Sequence, residues 1–278
     1  MSRRNFRSFF FFPLFLFWSA VSAALSPDEP GTVRRYPIFG KEHAEVTLSD
    51  HRLTDAVYYI VSGHGGPDSG ARGERDGSTL CEDEYAYDVA LRLAHRLLEH
   101  DAKVYVIVRD PDDGIRDDSL LICDSDEMVW GEKEIPVSQL DRLKQRTEVV
   151  NRLHRRNHHI PYQRMIVLHV DSRQEGDQVD IFFYHHSASP ASLRTATVLQ
   201  ETIETNYRLH QPWRGYQGTI AARDGLYMLR NTRPRTVYIE LGNIQNPLDQ
   251  RRFTSVDNRD ALADWLSEGL LKDYRISR

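Results

Sequence analysis

A three-layer αβα domain, with a central mixed and largely parallel sheet of about six strands, is the fold class this sequence predicts. Three observations point to it. From residue 56 onward, short runs of β-formers alternate with amphipathic helical stretches, the pattern of an α/β domain. The 278-residue chain has the length of one large domain of this kind. Finally, His64, His169 and Glu240 all fall at the ends of strand-like runs, the edge where such folds place ligands.

The first residues stand apart. MSRRNFR carries Arg3, Arg4 and Arg7 and no acid, FFFFPLFLFW is an apolar core, and SAVSAALS supplies small residues. That order reads as a secretory signal peptide over residues 1–23, cut after Ala23 or Ala24. The apolar run is short of the ~20 residues a transmembrane helix needs, and no cysteine marks the cut for a lipid anchor. The expectation is an exported, periplasmic protein with no membrane segment after cleavage. Losing the three arginines takes the formal charge from -5 to -8. A chain this anionic, without basic clusters, is a poor partner for nucleic acid.

Residues 24–55 are rich in Pro, Gly and charge, and read as a leader with one short edge strand near 44–48. The domain proper then runs over 56–278. AVYYIV (56–61) is its first strand. In the helix 84–100, Ala86, Val89, Ala90, Leu93 and Leu97 share one face. KVYVIV (103–108) is the second strand, 140–156 an amphipathic helix, and RMIVLHV (164–170) the third strand. VDIFFYHH (179–186) follows as a fourth strand, 192–209 as a helix and TVYIEL (236–241) as a fifth strand. A helix over 258–274, capped by Asp257 or Asn258, closes the chain. Between the second strand and second helix, residues 110–134 hold ten acids against two bases, a solvated loop by default. The alternative is a lid or regulatory element that a Cys81–Cys123 disulfide would tether beside Glu82. Cys81 and Cys123 can pair in an oxidising compartment or stay as two buried thiols, and the residues leave both readings open.

The stretch YYIVSGHGGPDSGARG (58–73) poses the functional question. A phosphate cradle needs its glycines to run straight into a helix, with a Walker lysine. Here no Lys-Ser/Thr pair is present and the next helix begins about twenty residues later. A histidine that merely fills a glycine turn is the bland alternative. A metal site would need two or three further N or O ligands. Glu82, just before a strong helix, and His169, at the rim of an apolar strand, are candidates on the same edge.

GHGGPDSGARG, Glu82 ahead of DVALRLAHRL, and KVYVIVRD together resemble the opening of the zinc-dependent N-acetylmuramoyl-L-alanine amidases of the amidase-3 type. The likeness continues through LDRLKQRTEVVNRL, IVLHVDS and VYIELGNIQNPLDQRRF, and spans nearly all of 56–274. Carried over residue by residue, the resemblance implies that His64, Glu82 and His169 bind Zn2+ and that Glu240 is the catalytic glutamate. It implies hydrolysis of the amide joining N-acetylmuramic acid to the L-alanine of a stem peptide. In that chemistry zinc polarises the carbonyl and lowers the pKa of water to about 7, and the glutamate moves the proton to the departing amine.

The chain departs from the family pattern at Val61-Ser62, where an aspartate and a proline are usual, at Asp171 and at Asn243. These changes leave three readings of function: a peptidoglycan amidase, a zinc amidase for soluble muropeptides or another acylated peptide, and a metal-free wall-binding protein on the same scaffold. The partner in each is peptidoglycan or a fragment of it, with a protein activator left open. Other histidines and acids compete for the site. Of His185 and His186, adjacent in a strand, at most one can face an ion. Glu84 belongs to the first helical turn, where an acid suits the dipole, His158 and His159 to a surface loop, and Arg109 to a pair with a nearby acid.

Overall fold

The computed structural model describes residues 28–171 and 180–278. The expected signal peptide and residues 24–27 of the leader lie outside the described residues. In the rest of the leader, Val33–Arg35 (β1) and Glu45–Thr47 (β2) pair antiparallel across the short helix Gly40–His43 (α1). The expected edge strand is there, but it joins β1 and not the central sheet.

The central elements follow in alternation. Ala56–Ser62 (β3) leads to the hairpin Arg72–Arg75 (β4) and Ser78–Cys81 (β5), then to the helix Glu82–Glu99 (α2) and the strand Lys103–Val106 (β6). Val108–Arg109 (β7), Met128–Val129 (β8) and Lys133–Glu134 (β9) form a small sheet that brackets most of the acidic segment. Gln139–Arg156 (α3), Tyr162–Asp171 (β10), Phe182–His185 (β11) and Pro190–His210 (α4) come next. The chain ends with Ile220–Ala222 (β12), Tyr227–Asn231 (α5), Arg235–Asn243 (β13), Pro247–Thr254 (α6) and Val256–Ser277 (α7).

Six strands make the main sheet, in the order β12-β11-β13-β10-β3-β6. Only the β11–β13 junction is antiparallel, so the sheet is mixed and largely parallel. Alternation along β3 sends Tyr58 and Ile60 to one face and Val57, Tyr59 and Val61 to the other. The first set packs with Val89 and Leu93 of α2, Leu199 of α4 and Leu266 of α7. The second packs with Val149 and Leu153 of α3 and Met228 of α5. Every residue of β3 is buried, which is why it reads as an unbroken apolar run. The leader is built onto the same body, because Phe39 and Val46 pack against Tyr87, Leu91 and Leu98 of α2.

Two expectations need correction. The closing helix is capped by Ser255, whose hydroxyl accepts from the Asn258 amide. Asp257 and Asn258 already lie inside the helix, whereas Ser255 has the extended backbone a cap requires. Glu82 is the first residue of α2 and does not precede it. The acidic segment is exposed over much of its length, as a solvated loop should be, and it is also tied down. Cys81 and Cys123 form a disulfide. Arg259, fully buried, donates to Asp88 at 2.6 Å and to the carbonyls of Arg116 and Asp118 at 2.8 Å.

Candidate metal centre

Strand β3 ends on Ser62, and the chain turns sharply after it. His64 sits at φ 57°, a left-handed conformation uncommon outside glycine. Arg146 of α3 donates to its carbonyl oxygen, fixing the turn from below. Asp68 receives Nδ1 of His64 at 2.9 Å and is itself held by Arg142 at 2.6 Å. Nε2 of His64 therefore points to Glu82, whose Oε2 lies 3.2 Å away.

Glu82 is anchored on both oxygens. Oε2 accepts from the Ala71 amide at 2.7 Å, and Oε1 accepts from the Val170 amide at 3.0 Å. The same Oε1 lies 2.7 Å from Nδ1 of His169, near the end of β10. The His169 ring stacks on Tyr238 of β13, with centroids 4.5 Å apart. One ligand atom from each of His64, Glu82 and His169 lies within 4.8 Å of the others. The glycines clear the space. A Cβ on Gly63 would lie 2.2 Å from the His169 ring, and one on Gly70 would lie 2.5 Å from Oε2 of Glu82.

The side chains of this group shift one another's affinity for protons. Burial raises the cost of a charged Glu82, but His169 and His64 outweigh it and hold its pKa well below the carboxylate range. His64 holds Asp68 down to about 2 against the opposing effect of burial. Burial also opposes charge on His64, yet Asp68 and Glu82 overcome it and raise its pKa to about 10. His169 is lowered, first by burial and then by His64 and Arg146, although Glu82 pulls the other way. His169 thus favours its neutral form, whereas His64 holds a proton that a bound metal would displace. Two imidazoles and one carboxylate, with a hydrogen-bonded acid behind one imidazole, are a donor set that fits zinc.

Glu240 lies on β13 as the direct neighbour of His169 across the parallel β10–β13 pair. It shares a face with Tyr238, two residues earlier, and is partly buried. Beside the histidines opens a cleft of about 180 Å3, lined among others by Ser62, Arg142, Arg146, Tyr227 and Tyr238. A larger groove of about 470 Å3, walled by Tyr207, Trp213 and Trp265, opens between α4, α6 and α7 and includes none of the three ligand candidates.

The rival residues go elsewhere. Glu84 pairs with Arg116 at 2.8 Å, and Arg109 pairs with Glu132 and covers Trp130. His158 bonds the Arg155 carbonyl and His159 is exposed. His185 closes β11, His186 follows it, and both bond locally. Of the departures, Val61 and Ser62 line the cleft. Asn243 is fully buried and forms a turn, accepting from the Gln245 amide at 2.9 Å while its own amide donates to Asp249. Asp171 pairs with Asn243 beyond a bulge at the end of β10. Sequence reasoning passed over Asp68, Arg142 and Arg146. Their only signal was the four-residue spacing of His64 to Asp68 and of Arg142 to Arg146.

Fold and site together define an α/β protein with a candidate His–Glu–His metal group at the carboxyl edge of its sheet. Residues 59–272 match the amidase-3 family, N-acetylmuramoyl-L-alanine amidase. The chain belongs to that family. It is 24% identical over 226 residues to the germination-specific N-acetylmuramoyl-L-alanine amidase of Bacillus subtilis (strain 168), covering 80% of this chain and 81% of the relative. Among solved structures it resembles the CwlD amidase from Clostridioides difficile in complex with the GerS lipoprotein, with TM-score 0.60 and 16% identity over 80% of this chain and 99% of that one. It also resembles the N-acetylmuramoyl-L-alanine amidase AmiC2 of Nostoc punctiforme, with TM-score 0.55 and 19% identity over 81% and 99%. At these identities the structures speak for the fold.

Proposed function

We propose that this chain is an exported zinc amidase that hydrolyses the amide between N-acetylmuramic acid and the L-alanine of peptidoglycan stem peptides. Family membership supports the amidase chemistry. The observation that carries the metal is the convergence of His64, Glu82 and His169 from three separate elements. A zinc ion there supplies Lewis acidity to the amide carbonyl. Asp68 orients His64, while the Ala71 and Val170 amides orient Glu82.

Glu240 takes the proton of the attacking water and returns it to the departing amine. Its place beside His169 supports that role. Arg142 and Arg146, buried at the wall of the cleft, brace Asp68 and the His64 carbonyl and so hold the first ligand in place. The Cys81–Cys123 disulfide supports export, since such bonds persist in oxidising compartments. A protein partner belongs to the proposal because one structure of similar fold is a complex with a lipoprotein.

The test separates metal binding from chemistry. Glu240→Gln should keep the zinc content of the wild type and lower release of stem peptides from purified sacculi by about 10²–10⁴-fold. Full activity in this variant would remove Glu240 from the reaction. Wild-type protein that holds zinc and cleaves soluble muropeptides but not sacculi would shift the substrate to the fragments.

A further inference from the structure

A second group of carboxylates lies next to the first site and is not used by the proposed reaction. Asp83 and Glu84 follow Glu82 in the first turn of α2, and Glu127 comes from the acidic segment beside β8. One carboxylate oxygen from each lies within 4.8 Å of the others. All three side chains are removed from solvent, at 2%, 1% and 4% exposure. Collecting three acids in such a place is costly unless cations or protons accompany them.

The protein supplies only part of that compensation among the described residues. Arg116 pairs with Glu84 at 2.8 Å, but the same nitrogen also contacts Asp113. The Asp124 amide donates to Glu84 and the Gly66 amide to Glu127. Asp83 uses Oδ1 on the neighbouring Glu84 amide at 3.0 Å. Its Oδ2 is buried with no hydrogen-bond partner among the described residues. A buried acceptor left this way calls for a ligand.

We propose that Asp83, Glu84 and Glu127 form a second, oxygen-lined site that binds calcium and clamps the acidic segment to the start of α2. An all-carboxylate set selects a hard cation. Calcium accepts irregular cages of protein oxygens, whereas magnesium demands a near-ideal octahedron, dehydrates reluctantly and keeps several waters. A site this removed from solvent, at 1–4% exposure of its three acids, therefore suits calcium. Its place matters because Glu127 also holds the Gly66 amide in the loop that carries His64, while Asp83 adjoins Glu82. One ion would then brace two of the three elements of the first centre. The disulfide at Cys81 and Cys123 closes the same junction covalently.

The test uses purified protein stripped of metals, with and without one equivalent of zinc, dialysed against calcium and counted for bound ion. One calcium per chain in both preparations is expected, with a calcium-dependent rise in Tm. Asp83→Asn and Glu127→Gln should weaken calcium uptake at least about tenfold and lose the Tm response, while Asp126→Asn should retain both. Wild-type protein that takes up no calcium would overturn the proposal, even if a variant fails to fold. So would uptake that survives Asp83→Asn and disappears in Asp126→Asn, which would move the ion to the more exposed group of Asp110, Asp124 and Asp126. A Tm that rises in Asp83→Asn without calcium would assign the cluster to proton sharing instead. Because calcium is counted without zinc as well, failure of the zinc reading leaves this result legible.

Discussion

Asp68 holds Nδ1 of His64 at 2.9 Å and so turns Nε2 of the same ring toward Glu82. An acid behind a histidine fixes its tautomer and raises its basicity. Asp68→Asn should therefore weaken zinc binding by about 10–100-fold. Competition with a chromophoric chelator measures this, and Tm without metal should fall only modestly, through the lost pairing of Asp68 with Arg142. Unchanged affinity would remove Asp68 from the site.

Gly63 is the narrowest point of the centre. Its alanine variant would place a methyl 2.2 Å from the His169 ring, and overpacking of this kind costs about 1–3 kcal/mol. The ring must swing away, so Gly63→Ala should lose zinc while keeping the fold by circular dichroism. Gly77→Ala is a useful comparison. That glycine has open space around it but φ +77°, so it should lose some stability and no zinc.

The disulfide closes a loop of sequence separation 42, for which chain entropy gives about 4 kcal/mol of stabilisation. Denaturant unfolding of Cys81→Ser/Cys123→Ser should show a loss of that order. The loss should also appear as faster amide exchange in residues 110–126, because the bond anchors that segment beside α2.

Asp110 gives a pH-dependent signature remote from the metal ligands. Burial pushes its carboxyl up to about 7, against the pull of the Asp113 and Asp112 amides. The folded state therefore holds a proton that the unfolded chain has already lost. Stability from this group is present at low pH and falls as pH rises from about 4 to about 7. Asp110→Asn keeps the Oδ1 acceptor for both amides. The stability of wild type relative to Asp110→Asn should decline across that window and level off above it. A flat difference would contradict the shift.

Much of this was legible in the sequence because the signals were local. Strand β3 and helix α2 are long, strongly patterned runs, and His169 stood out as a polar residue at the rim of an apolar strand. Strand β12 is only Ile-Ala-Ala at a sheet edge and α6 only eight residues, too short for periodicity to show. The support of the centre was hidden for another reason. Arg142 is 74 residues from Asp68 and Glu127 is 61 from Gly66, and such pairings exist only once the topology brings helix, loop and insertion together. Asn243 stood out only as a departure from the family pattern; that its side chain builds the turn into α6 shows only in the fold.

The account is tested most directly by the bond that is cut. Zinc-loaded protein is incubated with purified sacculi, and new amino termini and new reducing ends in the products are labelled and identified. The account predicts new L-alanine amino termini in step with released stem peptides, no new reducing ends, and loss of both in His169→Ala. Labelled termini other than L-alanine, new reducing sugar ends, or undiminished release by His169→Ala would contradict it.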